Sequence, residues 1–128
     1  MSAQVLAQMA QMALAQVARY YEQVDADDVG SLLELFAPDA VYRRPGYPPF
    51  RGRAELERFY RDDRVIVSGR HTISDALAGP GGSVAVRGRF AGLLRDGQDV
   101  DIEFADFFVL DGENRFRERE TFFFTPLV

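Results

Sequence analysis

An aspartate stands in the middle of an aromatic run, Phe104-Ala105-Asp106-Phe107-Phe108. A carboxylate in such surroundings must be paired or must titrate upward. Alternation with a period of two sets Asp106 on one face with Phe104, Phe108 and Leu110. That face is apolar, so Asp106 is expected to point inward as a proton carrier, with Phe108 beside it against the ligand. The opposite orientation would leave it outside between two inward phenylalanines. His71 is the only histidine, and histidine is the side chain that ordinarily changes charge near neutrality. It is a candidate proton shuttle or a structural hydrogen-bonder. Tyr20 lies on the apolar stripe of an N-terminal helix. It can be a core residue or a hydroxyl offered to a pocket.

The cations are all arginine. The sequence has no lysine, and its 15 basic residues are arginines. Biased codon usage would produce this, but a planar guanidinium also clamps carboxylates and phosphates in a way lysine does not. Position has to separate the two. Arg44 ends a short strand ahead of Pro45-Gly46-Tyr47-Pro48-Pro49, and Tyr42, Tyr47 and Phe50 make that loop either a rigid surface turn or an aromatic lid. Arg87 and Arg89 share a strand face with Ala85, Ala91 and Leu93, while Val84, Val86, Gly88 and Phe90 take the other. That pattern alone turns both arginines to solvent. Glu118 and Glu120 alternate with Arg117 and Arg119, which reads as ion pairing on an outer sheet face.

Composition removes whole classes of function. With no cysteine there is no disulfide and no thiolate chemistry, and a single histidine excludes a His-rich zinc site. No cofactor or metal is expected. The net charge of -5 argues against nucleic acid and against an anionic membrane surface. The apolar N-terminus lacks a basic start and is broken by Gln4, Gln8, Gln11 and Gln16, so it reads as a folded part of a cytoplasmic protein rather than a signal or a span.

The elements that must hold these residues fall into two halves. Val5, Met9, Met12, Val17, Tyr20 and Val24 form one helical stripe. Asp25-Ala26-Asp27-Asp28 breaks it and caps a second helix through Phe36, ending before Pro38. Ala40 to Arg44 is a strand, and Gly52 to Arg61 a third helix. Strands then run over 70–78, 83–94, 100–110 and 115–124, divided by Gly79-Pro80-Gly81-Gly82, Asp96-Gly97 and Asp111-Gly112. At 128 residues with 47% hydrophobic content, the chain 1–128 is expected to be one α+β domain.

This order resembles the NTF2-like superfamily in its SnoaL-like and ketosteroid isomerase-like branch. The resemblance rests on Arg19-Tyr20-Tyr21, Asp25-Ala26-Asp27-Asp28, Leu35-Phe36-Ala37-Pro38-Asp39-Ala40-Val41, Arg51-Gly52-Arg53 leading to Phe59-Tyr60, and Asp106 to Gly112. It implies a cone in which three N-terminal helices pack in a curved, mostly antiparallel sheet. In the isomerases a helix tyrosine and a late-strand acid form an oxyanion hole, and these match Tyr20 and Asp106. The base of those enzymes falls at Arg44, which cannot abstract a proton at neutral pH. The limonene-type epoxide hydrolases share the fold and use an Asp-Arg-Asp set. Their arginine falls at Arg87, and their aspartates at Arg89 and Thr121. That register turns Arg87 and Arg89 inward, against the alternation, and with Arg44 and Arg119 they would then make a cationic pocket.

The resulting expectation is a small-molecule pocket with Asp106, Tyr20 and His71 as its catalytic residues. Arg44, Tyr47, Arg87, Arg89 and Phe108 would be its ligand contacts, and the ligand would be anionic. An isomerase, cyclase or dehydratase fits this set. So does a non-catalytic binding protein or an interaction module of the same fold. The leftover outer sheet face points to a homodimer.

Overall fold

The computed structural model describes residues 2–125. Helix α1 runs Ala3–Asp25 and begins where the Ser2 hydroxyl accepts from the Val5 amide at 3.1 Å, which satisfies one of the free N–H groups of the first turn. Only its C-terminal half is covered: Ala13, Val17, Tyr20, Tyr21 and Val24 are buried, while Val5, Met9 and Met12 of the same stripe are exposed. Asp27 takes a positive φ at the joint, and Asp28 caps α2, Val29–Glu34, through the Ser31 amide.

The sheet has six strands: β1 Phe36–Arg43, β2 Phe50–Arg51, β3 Ile66–Ala78, β4 Ser83–Leu94, β5 Asp99–Leu110 and β6 Phe116–Phe123. Their order is β2-β1-β6-β5-β4-β3, with β1 and β6 parallel and every other pair antiparallel. The curved, mostly antiparallel sheet is therefore as the sequence implies. The grouping of three helices at the N-terminus is not. Helix α3, Gly52–Arg58, follows β1 and β2 and loosens into a π turn over Phe59–Asp63. Likewise Phe36 opens β1 rather than closing α2, since Pro38 favours an extended approach. No helix among the described residues is long and apolar enough to cross a membrane.

Two features bend the sheet around α1. The β3–β4 ladder slips register between Ile66 and Ser68 and again between Ile73 and Asp75, and such bulges increase local twist. Glycines then make room for aromatic rings on the concave side. A Cβ on Gly88 would stand 2.5 Å from the Thr72 carbonyl and 2.9 Å from the Phe104 ring. Gly88→Ala is expected to lower stability by about 1–3 kcal/mol through this overpacking. Urea unfolding measures it, and an unchanged midpoint would mean that the ring moves freely.

Candidate functional site

The concave face of β3 to β6, the end of α1 and the segment after α3 enclose a cavity of about 340 Å³. Its walls are apolar in Ile66, Phe90, Val100, Ile102 and Phe104, Arg44 and Arg64 add charge to the lining, and two further polar places stand out. One is a buried cluster around Asp106. The other is His71.

Asp106 is fully buried and points inward, as the alternation predicts. Every donor around it is already committed. Its Oδ2 accepts from Arg119 Nη2 at 2.9 Å and from the Tyr21 hydroxyl at 2.5 Å, and its Oδ1 accepts from the Thr121 hydroxyl. Thr121 in turn bonds the Tyr42 hydroxyl at 2.8 Å, and Tyr42 accepts from Arg44 Nη1 at 3.1 Å. Because Thr121 spends its proton on Asp106, Tyr42 must donate to Thr121. The chain thus has one direction, from Arg44 through Tyr42 and Thr121 to Asp106. This carboxylate is an acceptor engaged by three partners, a load that suits a structural counter-charge. Arg119 is the main counter-charge. Burial alone would lower its pKa, but Asp106 and the neighbouring tyrosines outweigh that and raise it further.

Tyr20 lines the cavity but does not touch Asp106. Arg119 Nη1 donates to the Tyr20 hydroxyl at 2.6 Å and to the Tyr60 hydroxyl at 3.1 Å, and the two hydroxyls lie 2.6 Å apart. Two hydroxyls carry two protons. One proton fills the bond between them, and the other has no acceptor among the described residues. Burial raises the pKa of Tyr20 and of Tyr60 despite the opposing charge of Arg119. The pair therefore keeps its protons at neutral pH and presents a spare hydrogen-bond donor backed by a guanidinium. Tyr21, pushed up by burial and by the Asp106 charge, is equally fixed as a donor.

His71 is on the inward face of β3, opposite Phe90 in the ladder, with its ring against Phe90, Phe104 and Tyr21. Asp25 ends α1 and grips this residue twice. Its Oδ2 accepts from the His71 amide at 2.9 Å, and its Oδ1 lies 2.6 Å from Nδ1. In a neutral ring whose Nδ1–H donates to Asp25, the lone pair is on Nε2. Nε2 has no partner among the described residues, and the side chain is 10% exposed.

The remaining ligand-contact expectations divide. Arg44 and Tyr47 both line the cavity. Arg87 and Arg89 do not: they stand on the convex face, paired with Asp75 and Asp101, and are 75% and 56% exposed. Strand alternation decides here, because β4 has no bulge to shift the register that buries Val84, Val86 and Phe90. Phe108 faces inward but lies beneath the cavity, packed against Tyr20, Tyr21 and Phe116 in the core.

Several site residues escape the sequence reading. The alternation of β6 sets Arg119 on the outer face, and only the inward register of Arg87 and Arg89 would bring it to a pocket. On β6 the partner of Leu110 is Phe116 and that of Val109 is Glu118, so Arg117 is an extra residue. This bulge flips the phase and brings Arg119 and Thr121 inward. Asp25 reads as a helix breaker because its partner is 46 residues away. Tyr60 and Arg64 reach the cavity only through the π turn after α3.

Comparison with known proteins places this cone among others. The solved structure of SalBIII, an epoxide hydrolase/cyclase-like enzyme with a role in pyran ring formation in the polyether salinomycin, matches with a TM-score of 0.79 at 24% identity, over 88% of this chain and 91% of that one. An NTF2-like protein of unknown function from Burkholderia pseudomallei matches with a TM-score of 0.79 at 19% identity, over 88% and 90%. Bal32a, from a soil-derived mobile gene cassette, gives 0.76 at 20%, over 91% and 92%. At these identities the likeness is one of fold. The SnoaL-like domain model matches residues 17–118, from the buried half of α1 into β6, and on that match the chain belongs to the SnoaL-like domain family.

Proposed function

We propose that this protein is an acid–base enzyme that isomerises, dehydrates or cyclises a small molecule inside the cone, with His71 as its general base. The observation that carries this reading is the Asp25–His71 pair on the wall of the cavity. Asp25 holds the ring in one tautomer and stabilises the imidazolium that forms when Nε2 takes a proton from the substrate. The spare proton of the Tyr20–Tyr60 pair binds the oxygen on which negative charge develops, and Arg119 behind it strengthens that bond. Asp106 is a positioning residue: it holds Arg119 and Tyr21 and touches no substrate. The apolar walls keep water from competing for the proton. A fold neighbour with a role in pyran ring formation is consistent with cyclisation as one member of this class.

The test needs no prior substrate. The protein is incubated with a small-molecule extract in D2O, and mass spectrometry scores compounds that gain deuterium, lose water or change retention at constant mass. Such changes are expected with the wild type and not with a folded His71→Asn variant. Products that persist undiminished in that variant would sink the proposal.

The partner in this reading is a second copy on the convex face. Phe107 and Phe122 meet there edge to face with ring centroids 5.8 Å apart, and both are about half exposed. The Arg87–Asp75 and Arg89–Asp101 pairs on the same face offer both signs of charge to a twofold-related copy. Sedimentation at micromolar concentration is expected to give a dimer, and Phe107→Glu with Phe122→Glu a monomer. A monomeric wild type refutes it.

A further inference from the structure

The cavity holds more positive charge than its own carboxylates balance. Of the carboxylates, Asp106 lines the cavity and is matched by Arg119, while Asp25 bonds His71 from outside the lining. Arg44 and Arg64 also line the cavity, and neither has a carboxylate within ion-pair distance among the described residues. In a chain of net charge -5, two unbalanced arginines at one cavity are a local reversal of sign. Arg64 is close enough to Tyr60 for its charge to work against the upward shift of that hydroxyl.

Arg44 shows how the imbalance is arranged. Its guanidinium is held among the rings of Tyr47, Phe59 and Phe123 at 5.9, 5.2 and 5.3 Å, which orient it without neutralising it. Nη1 is used on the Tyr42 hydroxyl. Nε is shut off from water and bonds nothing, and no described residue bonds Nη2. Nη2–H is thus a charged donor without an acceptor among the described residues, and a carboxylate oxygen matches it. Tyr42 and the three rings hold the rest of the guanidinium, so Nη2 is fixed in place before a ligand arrives.

We infer that the substrate is an organic acid with an apolar body, its carboxylate seated on Nη2 of Arg44 with Arg64 as a second cation. This deepens the acid–base reading by naming the substrate class of the same cavity. The body then lies along Ile66, Val100, Ile102 and Phe104, within reach of His71 on the same wall. The hydrogen-bond chain from Arg44 to Asp106 gives the anchor a link to the buried cluster.

The experiment compares trans-cinnamate with trans-cinnamide, equal in shape and different in charge, by calorimetry on the full chain. Cinnamate is expected to bind at least about tenfold more tightly than cinnamide. Arg44→Gln should remove that preference by lowering cinnamate affinity toward that of cinnamide, and Arg44→Lys should keep part of it, since the charge survives and the planar guanidinium does not. Nitrogen-15 spectra of the arginine Nε–H groups supply a readout that needs no stable variant, since one resonance should shift on adding cinnamate and not cinnamide. His71→Asn should keep the preference even where turnover is lost, which separates this proposal from the catalytic one. Equal affinities, a preference that survives Arg44→Gln, unmoved Nε–H resonances, or no saturable binding of either probe would overturn it.

Discussion

Asp106→Asn is expected to destabilise the protein by about 3–5 kcal/mol, on the order of 10 °C or more in Tm. The substitution removes one charge and leaves Arg119, 4% exposed, without a counter-ion in the core. It also inverts a donor–acceptor pattern. Tyr21 and Arg119 both donate to Oδ2 and Thr121 donates to Oδ1, so the asparagine NH2 must face at least one donor whichever way the amide turns. Asn has one acceptor where the native site uses two. A buried pair is costly to break yet often replaceable as a whole, because much of its energy repays its own desolvation. Asp106→Leu with Arg119→Met is therefore expected to recover most of the loss, and a double-mutant cycle on urea midpoints measures the coupling. A folded Asp106→Asn variant of native stability that has lost all turnover would reverse the assignment and make Asp106 the proton carrier.

That pair marks the boundary of what the sequence alone reveals. Asp106 is found inward because β5 alternates without interruption, and a period of two then fixes the face of every residue. Arg119 is misplaced because a single extra residue at Arg117 inverts the phase of β6, and no residue type announces that bulge. The same logic runs through α1. The stripe from Val5 to Val24 predicts the helix, but periodicity says which face is apolar and not whether anything covers it, so Val5, Met9 and Met12 are left exposed. The hairpin turns are legible because Asp-Gly and Gly-rich turns have local causes. The Asp25–His71 pair is not, since it forms only when the end of α1 meets β3 across the closed cone. Local chemistry thus reveals most of the sheet, and the site is hidden wherever it depends on closure.

The largest kinetic effect is expected at that closure. His71→Asn should lower kcat by about 100- to 10,000-fold, the usual contribution of a positioned general base, while ligand affinity stays near the wild-type value. Asparagine keeps a polar side chain near Asp25 but offers no basic nitrogen at the Nε2 position. Asp25→Asn tests the pair from its other side. An amide at that position leaves the ring free to take the wrong tautomer and removes the charge that stabilises the imidazolium, so kcat should fall in the same direction. Asp25→Ala is a poorer choice, because the carboxylate also holds the His71 amide and its loss would loosen β3. The tyrosine pair should behave differently. Removing either hydroxyl frees the proton that filled the bond between them, so the survivor can still donate with Arg119 behind it. Tyr20→Phe and Tyr60→Phe are each expected to cost less than the double variant, which has no hydroxyl left to offer. Deuterium incorporation or product formation, followed on whichever compound the wild type converts, gives all five values on one scale. Equal rates for wild type and His71→Asn, or a double tyrosine variant no worse than the singles, would remove the proton-transfer roles assigned to these residues.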